Sequence, residues 1–177
     1  MDPDTYRVLL VDDHQMLIDG LARILEGEVK IGDVLKVNSG ADALRVLQEQ
    51  TIDLLISDME MPNMNGLELV TKAKEMRPFL KVLIISMYGD KQLIQKMMKL
   101  GADGYVLKSS SEEEIILAVA QILIGRKYFS SDISQALISE NQPNLTRGSH
   151  HLSEREVEIL QLIAEGHSTK EIANDLH

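Results

Sequence analysis

Five side chains suited to phosphoryl chemistry stand at the downstream ends of short apolar runs. Asp12 and Asp13 follow Arg7–Val11, Asp58 follows Asp53–Ser57, Ser86 ends Lys81–Ser86, and Lys108 follows Gly104–Leu107. If the runs are adjacent strands, three carboxylates converge, and their mutual repulsion must be relieved by protonation or by a cation. A hard, oxygen-ligated ion such as Mg²⁺ suits one or two carboxylates, waters and a phosphoryl oxygen. The Ser86 hydroxyl and the Lys108 ammonium, projecting from the same edge, suit further phosphoryl oxygens. The pattern therefore points to a metal-assisted acyl-phosphate site. Each group alone has an ordinary explanation. An Asp after a strand is commonly a turn former or a helix N-cap, and a lone Lys is usually a solvated charge. The joint placement at four strand ends carries the reading.

Positioning these groups is the work of an alternating chain. A further, less regular run, Val34–Asn38, makes five candidate strands, and the other four are continuously apolar, as parallel strands covered on both faces should be. Segments with helical periodicity lie between them: Met16–Leu25, Ala41–Gln50, Gly66–Met76 and Lys91–Leu100. A fifth spans 112–124, opened by the capping box Ser111-Glu-Glu-Glu114 and followed by Gly125. The expected fold is α/β, a flavodoxin-like (βα)5 doubly wound parallel sheet of order 2-1-3-4-5, which brings the first and third strands together at the switch point where such sheets bind ligands.

Composition narrows the classes. The chain has 177 residues, no Cys, 28 acidic against 18 basic side chains and a net charge of −10. That length accommodates one ordinary domain and a smaller unit. A disulfide framework, a thiol nucleophile and a Cys-ligated zinc site are excluded, which fits a cytoplasmic location. The N-terminus lacks a basic stretch followed by an apolar one, so no signal peptide is expected. No apolar run approaches the roughly 20 residues of a membrane span. Net acidity and a complement of four Tyr, two Phe and no Trp leave little for backbone-driven or stacking contacts with nucleic acid, so any such binding must be local.

The domain expectation is 1–127 for the α/β unit, 128–151 for a linker containing the turn-rich SENQPNLTRGS, and 152–177 for a helical unit. In that last stretch Ser153-Glu-Arg-Glu156 and Ser168-Thr-Lys-Glu171 are capping boxes ahead of apolar helices.

The motifs VLLVDDH (8–14), LLISDMEMPNMNGLEL (54–69), IISM (84–87), GADGYVLK (101–108) and LSEREVEILQLIAEGHSTKEIANDL (152–176) resemble those of bacterial two-component response regulators of the NarL/FixJ branch, which carry a LuxR-type helix-turn-helix. The resemblance covers nearly the whole chain. It implies that Asp58 is the phosphoacceptor, a nucleophile toward phosphorus. It implies that Asp12, Asp13 and Asp58, with the backbone carbonyl of Glu60, hold Mg²⁺, whose charge offsets that of the transferring group. By the same resemblance Lys108 and Ser86 contact phosphoryl oxygens, and Ser86 and Tyr105 form a switch in which Ser86 turns toward the phosphoryl group and Tyr105 moves inward. The implied partners are a sensor histidine kinase, a second copy of the chain on phosphorylation, and promoter DNA for the full-length protein.

Residues 152–177 match the first two helices of the output domain, with Ser168 and Lys170 on the scaffold helix and the recognition helix absent. With Glu154, Glu156, Glu158, Glu165, Glu171 and Asp175 against Arg155 and Lys170, the expectation is no specific DNA binding by these 177 residues. Met87, where the family has a small residue, is expected to narrow access to Asp58, and Ser109 stands where many members have proline. His14 reads as an exposed side chain at the start of the first helix, and the adjacent His150 and His151 lack zinc-helix spacing. Met97 and Met98 are core filler or adaptable partner surface.

Phosphotransfer to Asp58 would be a regulatory single turnover, so the chain is not expected to be an enzyme. An alternative is a receiver acting as a protein-binding module without transcriptional output, with or without phosphorylation as its switch. A haloacid-dehalogenase-like phosphatase would place an Asp-x-Asp pair after the first strand, unlike the adjacent Asp12-Asp13.

Overall fold

In the computed structural model, which describes residues 5–28 and 30–138, the apolar runs form parallel strands β1 (Tyr6–Val11), β2 (Ile31–Val37), β3 (Leu54–Asp58), β4 (Lys81–Ser86) and β5 (Gly104–Leu107). Helices α1 (Gln15–Glu26), α2 (Gly40–Glu49), α3 (Gly66–Met76), α4 (Lys91–Lys99) and α5 (Glu112–Leu123) alternate with them. A short strand β6 (Tyr128–Phe129) and a helix α6 (Ser131–Ile138) follow. The sheet order is β2-β1-β3-β4-β5-β6 with every neighbour parallel, so the expected 2-1-3-4-5 order is present and extended by one strand.

Two cores explain the continuous apolar runs. Leu9, Val11, Leu55, Ile84 and Tyr105 point to one face, against residues of α2, α3, α4 and α6. Their sequence neighbours Val8, Leu10, Leu54, Leu83 and Val106 point to the other, against residues of α1 and α5. Both faces are dry, so neither parity in the strand can be polar. Truncating a fully buried member such as Leu55 to Ala costs about 3 kcal/mol. β2 starts earlier than its apolar signal because it is an edge strand, half-exposed along its length and interrupted by Gly32, Asp33 and Lys36.

Helix starts follow local chemistry. Side-chain oxygens of Ser39, Asn65, Asp90 and Ser111 accept hydrogen bonds from the backbone N–H groups of Asp42, Glu68, Leu93 and Glu114, opening α2, α3, α4 and α5. Each such cap is worth about 1 kcal/mol. The capping box read at Ser111 is therefore a true start.

The sequence assigns 128–151 to a linker, whereas residues 128–138 form β6 and α6. A two-residue strand carries no periodicity to detect, and it is held by register with β5, Gly104 opposite Tyr128 and Tyr105 opposite Phe129. In α6, Ile133 and Leu137 lie four residues apart and pack on the α4 side of the core. The rest of the turn-rich stretch, the capping boxes at Ser153 and Ser168, Lys170, and His150 and His151 lie outside the described residues. No helix among the described residues is long and apolar enough to cross a membrane.

Candidate functional site

Strand ends bring the five groups to one edge. β1 stops at Val11, so Asp12 and Asp13 leave the sheet there, while Asp58 and Ser86 are the last residues of β3 and β4, and Lys108 directly follows β5. Register aligns these ends, with Val11 opposite Ser57, Asp58 opposite Ile85 and Ser86 opposite Leu107.

Lys108 Nζ bridges two acids, 2.8 Å from Asp12 Oδ2 and 2.8 Å from Asp58 Oδ2, and all three side chains are at most 9% exposed. Asp58 Oδ1 accepts the Met59 N–H at 2.7 Å, and the Glu60 main chain adds a further hydrogen bond to this carboxylate. Burial pushes the Asp58 carboxyl above its ordinary value, outweighing the hydrogen bond from Lys108, and the charge of Asp12 adds to the rise. For Lys108 burial works against the ammonium, but hydrogen bonds to Asp12 and Asp58 more than offset it and hold the lysine protonated.

Asp13 and His14 complete the cluster. His14 Nδ1 lies 3.1 Å from both Asp12 Oδ1 and Asp13 Oδ1, although its side chain is 66% exposed. One ligand atom from each of Asp12, Asp13, His14 and Asp58 falls within a 4.8 Å span. One ammonium against three carboxylates leaves an excess of negative oxygen donors, the donor set a hard divalent cation prefers, so these residues fit Mg²⁺.

The loop after β3 is folded tightly under the site. Asn63 adopts a left-handed conformation, φ 66°, and the Gly66 N–H returns to the Met59 carbonyl at 2.9 Å. A Cβ on Gly66 would sit 2.4 Å from the Asp58 carbonyl oxygen and 2.9 Å from Met59 Cα, so only glycine lets α3 begin this close to the acid. Beside the loop a shallow apolar groove of about 570 Å³ is lined by Met59, Glu60, Met61, Asn65, Leu67 and Leu93. Asp12, Asp13 and Asp58 do not line it.

Ser86 is fully buried, and its Oγ accepts the Tyr88 N–H at 3.2 Å. Tyr105 is already inward, 1% exposed, and donates its hydroxyl to the Tyr88 carbonyl at 2.8 Å. Burial raises its phenol above the ordinary value, against a hydrogen bond with Ser86. Met87 is 65% exposed, so its side chain stands in solvent. Met97 is core, and Met98 packs half-buried beside it. The need for Gly66 appears only once the distance from α3 to Asp58 is known, while His14 is, as expected, an exposed side chain at the start of α1, with added contacts to Asp12 and Asp13. The available signal was adjacency, since His14 precedes α1 and its backbone N–H bonds Asp12 Oδ1 at 2.8 Å.

Comparison with known proteins accords with this geometry. Residues 8–120 match the family model described as the response regulator receiver domain, and residues 150–177 match that of the bacterial regulatory proteins of the luxR family. The chain is 33% identical over 172 residues to the response regulator UvrY of Escherichia coli (strain K12), spanning 96% of this chain and 79% of UvrY. A LuxR-family two-component response regulator from Aurantimonas sp. SI85-9A1 superposes with a TM-score of 0.72 at 32% identity, over 75% of this chain and 95% of that structure. The response regulator RcsB, in a complex with DNA, superposes with a TM-score of 0.71 at 25% identity, over 97% of this chain and 83% of RcsB. With a receiver match over most of its length and a luxR match after it, the chain belongs to the two-component response regulators of the NarL/FixJ branch, which regulate transcription.

Proposed function

We propose that Asp58 is the phosphoacceptor of this regulator and that a sensor histidine kinase is the donor. The Asp58 carboxylate oxygen bonds to phosphorus as the P–N bond of the donor's phosphohistidine breaks, and the departing imidazole keeps the nitrogen lone pair and takes up a proton. Asp12, Asp13, Asp58 and the Glu60 carbonyl would hold Mg²⁺, which would supply charge to offset that on the phosphoryl oxygens. Lys108 releases Asp58 Oδ2 and follows the charge to a phosphoryl oxygen. Ser86 rotates from the Tyr88 N–H to donate to another. Tyr105 reports that change. The receiver unit runs through α6, a linker follows, and 152–177 begin the DNA-binding unit.

The observation that carries this reading is the Lys108 ammonium bridging Asp12 and Asp58 at 2.8 Å each, on an edge where acid outnumbers base. The complex of RcsB with DNA supports promoter DNA as the target of the full-length protein, and the RcsB dimers bound to DNA support a homodimer as the effector state that phosphorylation favours. The chain acts in the cytoplasm and performs no multiple-turnover chemistry.

Intact mass after incubation with Mg²⁺ and either acetyl phosphate or a phosphorylated histidine kinase tests the assignment. One added phosphoryl group, absent in Asp58→Ala and accompanied by a larger species on a sizing column, is expected. A folded protein that gains no phosphoryl group from any donor is instead a phosphorylation-independent binding module.

A further inference from the structure

The extra helix α6 is packed on the part of the receiver that the proposed phosphorylation would move. Ile133 is fully buried in the core cluster that contains Ile94, Met97 and Tyr105. Its Cδ1 closes on the β4–α4 turn so tightly that a Cβ on Gly89 would lie 3.2 Å away. The residue before Gly89 is Tyr88, whose carbonyl receives the Tyr105 hydroxyl and whose N–H is bound by Ser86 Oγ. Contacts thus run without a gap from the end of β4, through the turn and Tyr105, to α6.

β6 closes the same region from the side. Tyr105 pairs with Phe129, and the Ser130 N–H reaches the Tyr105 carbonyl at 3.3 Å. Without β6 and α6, β5 would be an edge strand and Tyr105 would border solvent. With them in place Tyr105 is 1% exposed and shares its core cluster with Ile133. The docked position also carries a cost. The Ser130 hydroxyl, just before α6, is buried with no hydrogen-bond partner among the described residues, which leaves its desolvation uncompensated. Ile133 and Leu137 pack this short helix on the core against that cost.

We infer that α6 is a state-sensitive clamp: Ile133, seated on the β4–α4 turn, holds Tyr105 inward, and docking of α6 and modification of Asp58 reinforce one another. The second half of this inference rests on Asp58 as phosphoacceptor. Rotation of Ser86 away from the Tyr88 N–H alters the turn on which Ile133 sits. By linkage, whatever favours docked α6 tightens binding of the phosphoryl group or its mimic by the same factor. Because α6 leads directly into the residues connecting to the luxR-type segment, the clamp passes the state of Asp58 to the start of that connection.

The chain has no Trp and four Tyr, so a Tyr6→Phe/Tyr88→Phe/Tyr128→Phe background leaves Tyr105 as the only fluorescent side chain. In that background Ile133→Ala and Gly89→Val are compared by acrylamide quenching of Tyr105 and by hydrogen exchange of 131–138. Gly89→Val attacks the contact from the other side and leaves α6 unaltered. Both substitutions are expected to remove protection from α6, raise the quenching constant and weaken binding of beryllium fluoride with Mg²⁺ by about five- to tenfold. In the parent, beryllium fluoride should increase α6 protection. If α6 loses protection while Tyr105 stays shielded, or if neither substitution loosens α6, the clamp is overturned. If Tyr105 responds but beryllium fluoride never binds, the clamp stands and it is the assignment of Asp58 that falls.

Discussion

The two ends of one sheet use the same residue types to opposite effect. At the amino end, Asp53 and Asp103 each precede a strand and accept a backbone N–H from the neighbouring strand, Arg7 at 2.7 Å and Val82 at 2.9 Å. Two cations stand nearby, one of them in contact with Asp103. Lys74 Nζ reaches Asp103 at 3.3 Å and the Leu80 carbonyl at 2.7 Å, and the Arg7 guanidinium is shared among Asp33, Gln50 and the Thr51 carbonyl. At the carboxyl end, Asp12, Asp13 and Asp58 have one buried ammonium between them, and Ser86 and Tyr105 bond to a turn that can change. Acids at the amino end pin strands together. Acids at the carboxyl end are held in excess, the donor set that a hard divalent cation prefers.

The largest effect should come from removing Lys108, the buried counter-charge of Asp12 and Asp58. Lys108→Met leaves Asp12 and Asp58 buried and unpaired, so unfolding in urea with EDTA should show a loss of about 3 kcal/mol. Mg²⁺ should restore stability to this variant more than to the parent, because the cation replaces the missing ammonium. An unchanged stability would mean that the acids are compensated by other groups and that the two ends of the sheet do not differ as described.

Asp103→Ala makes the reciprocal test at the amino end. It strips the Val82 N–H and one contact of Lys74, and the expected loss is about 2 kcal/mol. Mg²⁺ should recover none of it, and the affinity for beryllium fluoride should stay at the parent value. A changed affinity would show that this end of the sheet also serves the site.

Much of this contrast is legible in sequence because a strand end is a local event. Val8–Val11 followed by Asp12-Asp13, and Lys81–Ile85 followed by Ser86, announce both the strand and the group it delivers, and the 2-1-3-4-5 order then makes them neighbours. Three features depend on distance across the fold and leave little local trace. β6 is too short to show a period and exists through pairing with β5. Gly66 is required by the approach of the Asp58 carbonyl, which no spacing encodes. The inward position of Tyr105 reflects burial by α6 and a hydrogen bond to a backbone carbonyl, so aromatic strand preference could mark it as core but not as held by a turn.

Asp58→Asn is the subtlest way to sharpen the comparison, because it should stabilise the fold while abolishing phosphorylation. Burial raises the Asp58 pKa in the folded chain, so the folded state binds this proton more tightly than the unfolded state does. The stability it contributes is complete below the unfolded pKa, near 4, and is lost as pH rises through the folded value. At neutral pH the ionised carboxylate therefore stands at a cost, which the neutral amide removes while Lys108 keeps its 2.8 Å contact with Asp12. A gain of about 1 kcal/mol in urea unfolding without Mg²⁺ is expected, typical of relieving a functional group held for activity. The gain should shrink as pH falls toward 4, and it should also shrink when Mg²⁺ is supplied, since the cation stabilises the parent's carboxylate. A loss of stability at neutral pH would place Asp58 with Asp53 and Asp103, as an acid whose purpose is to hold strands together.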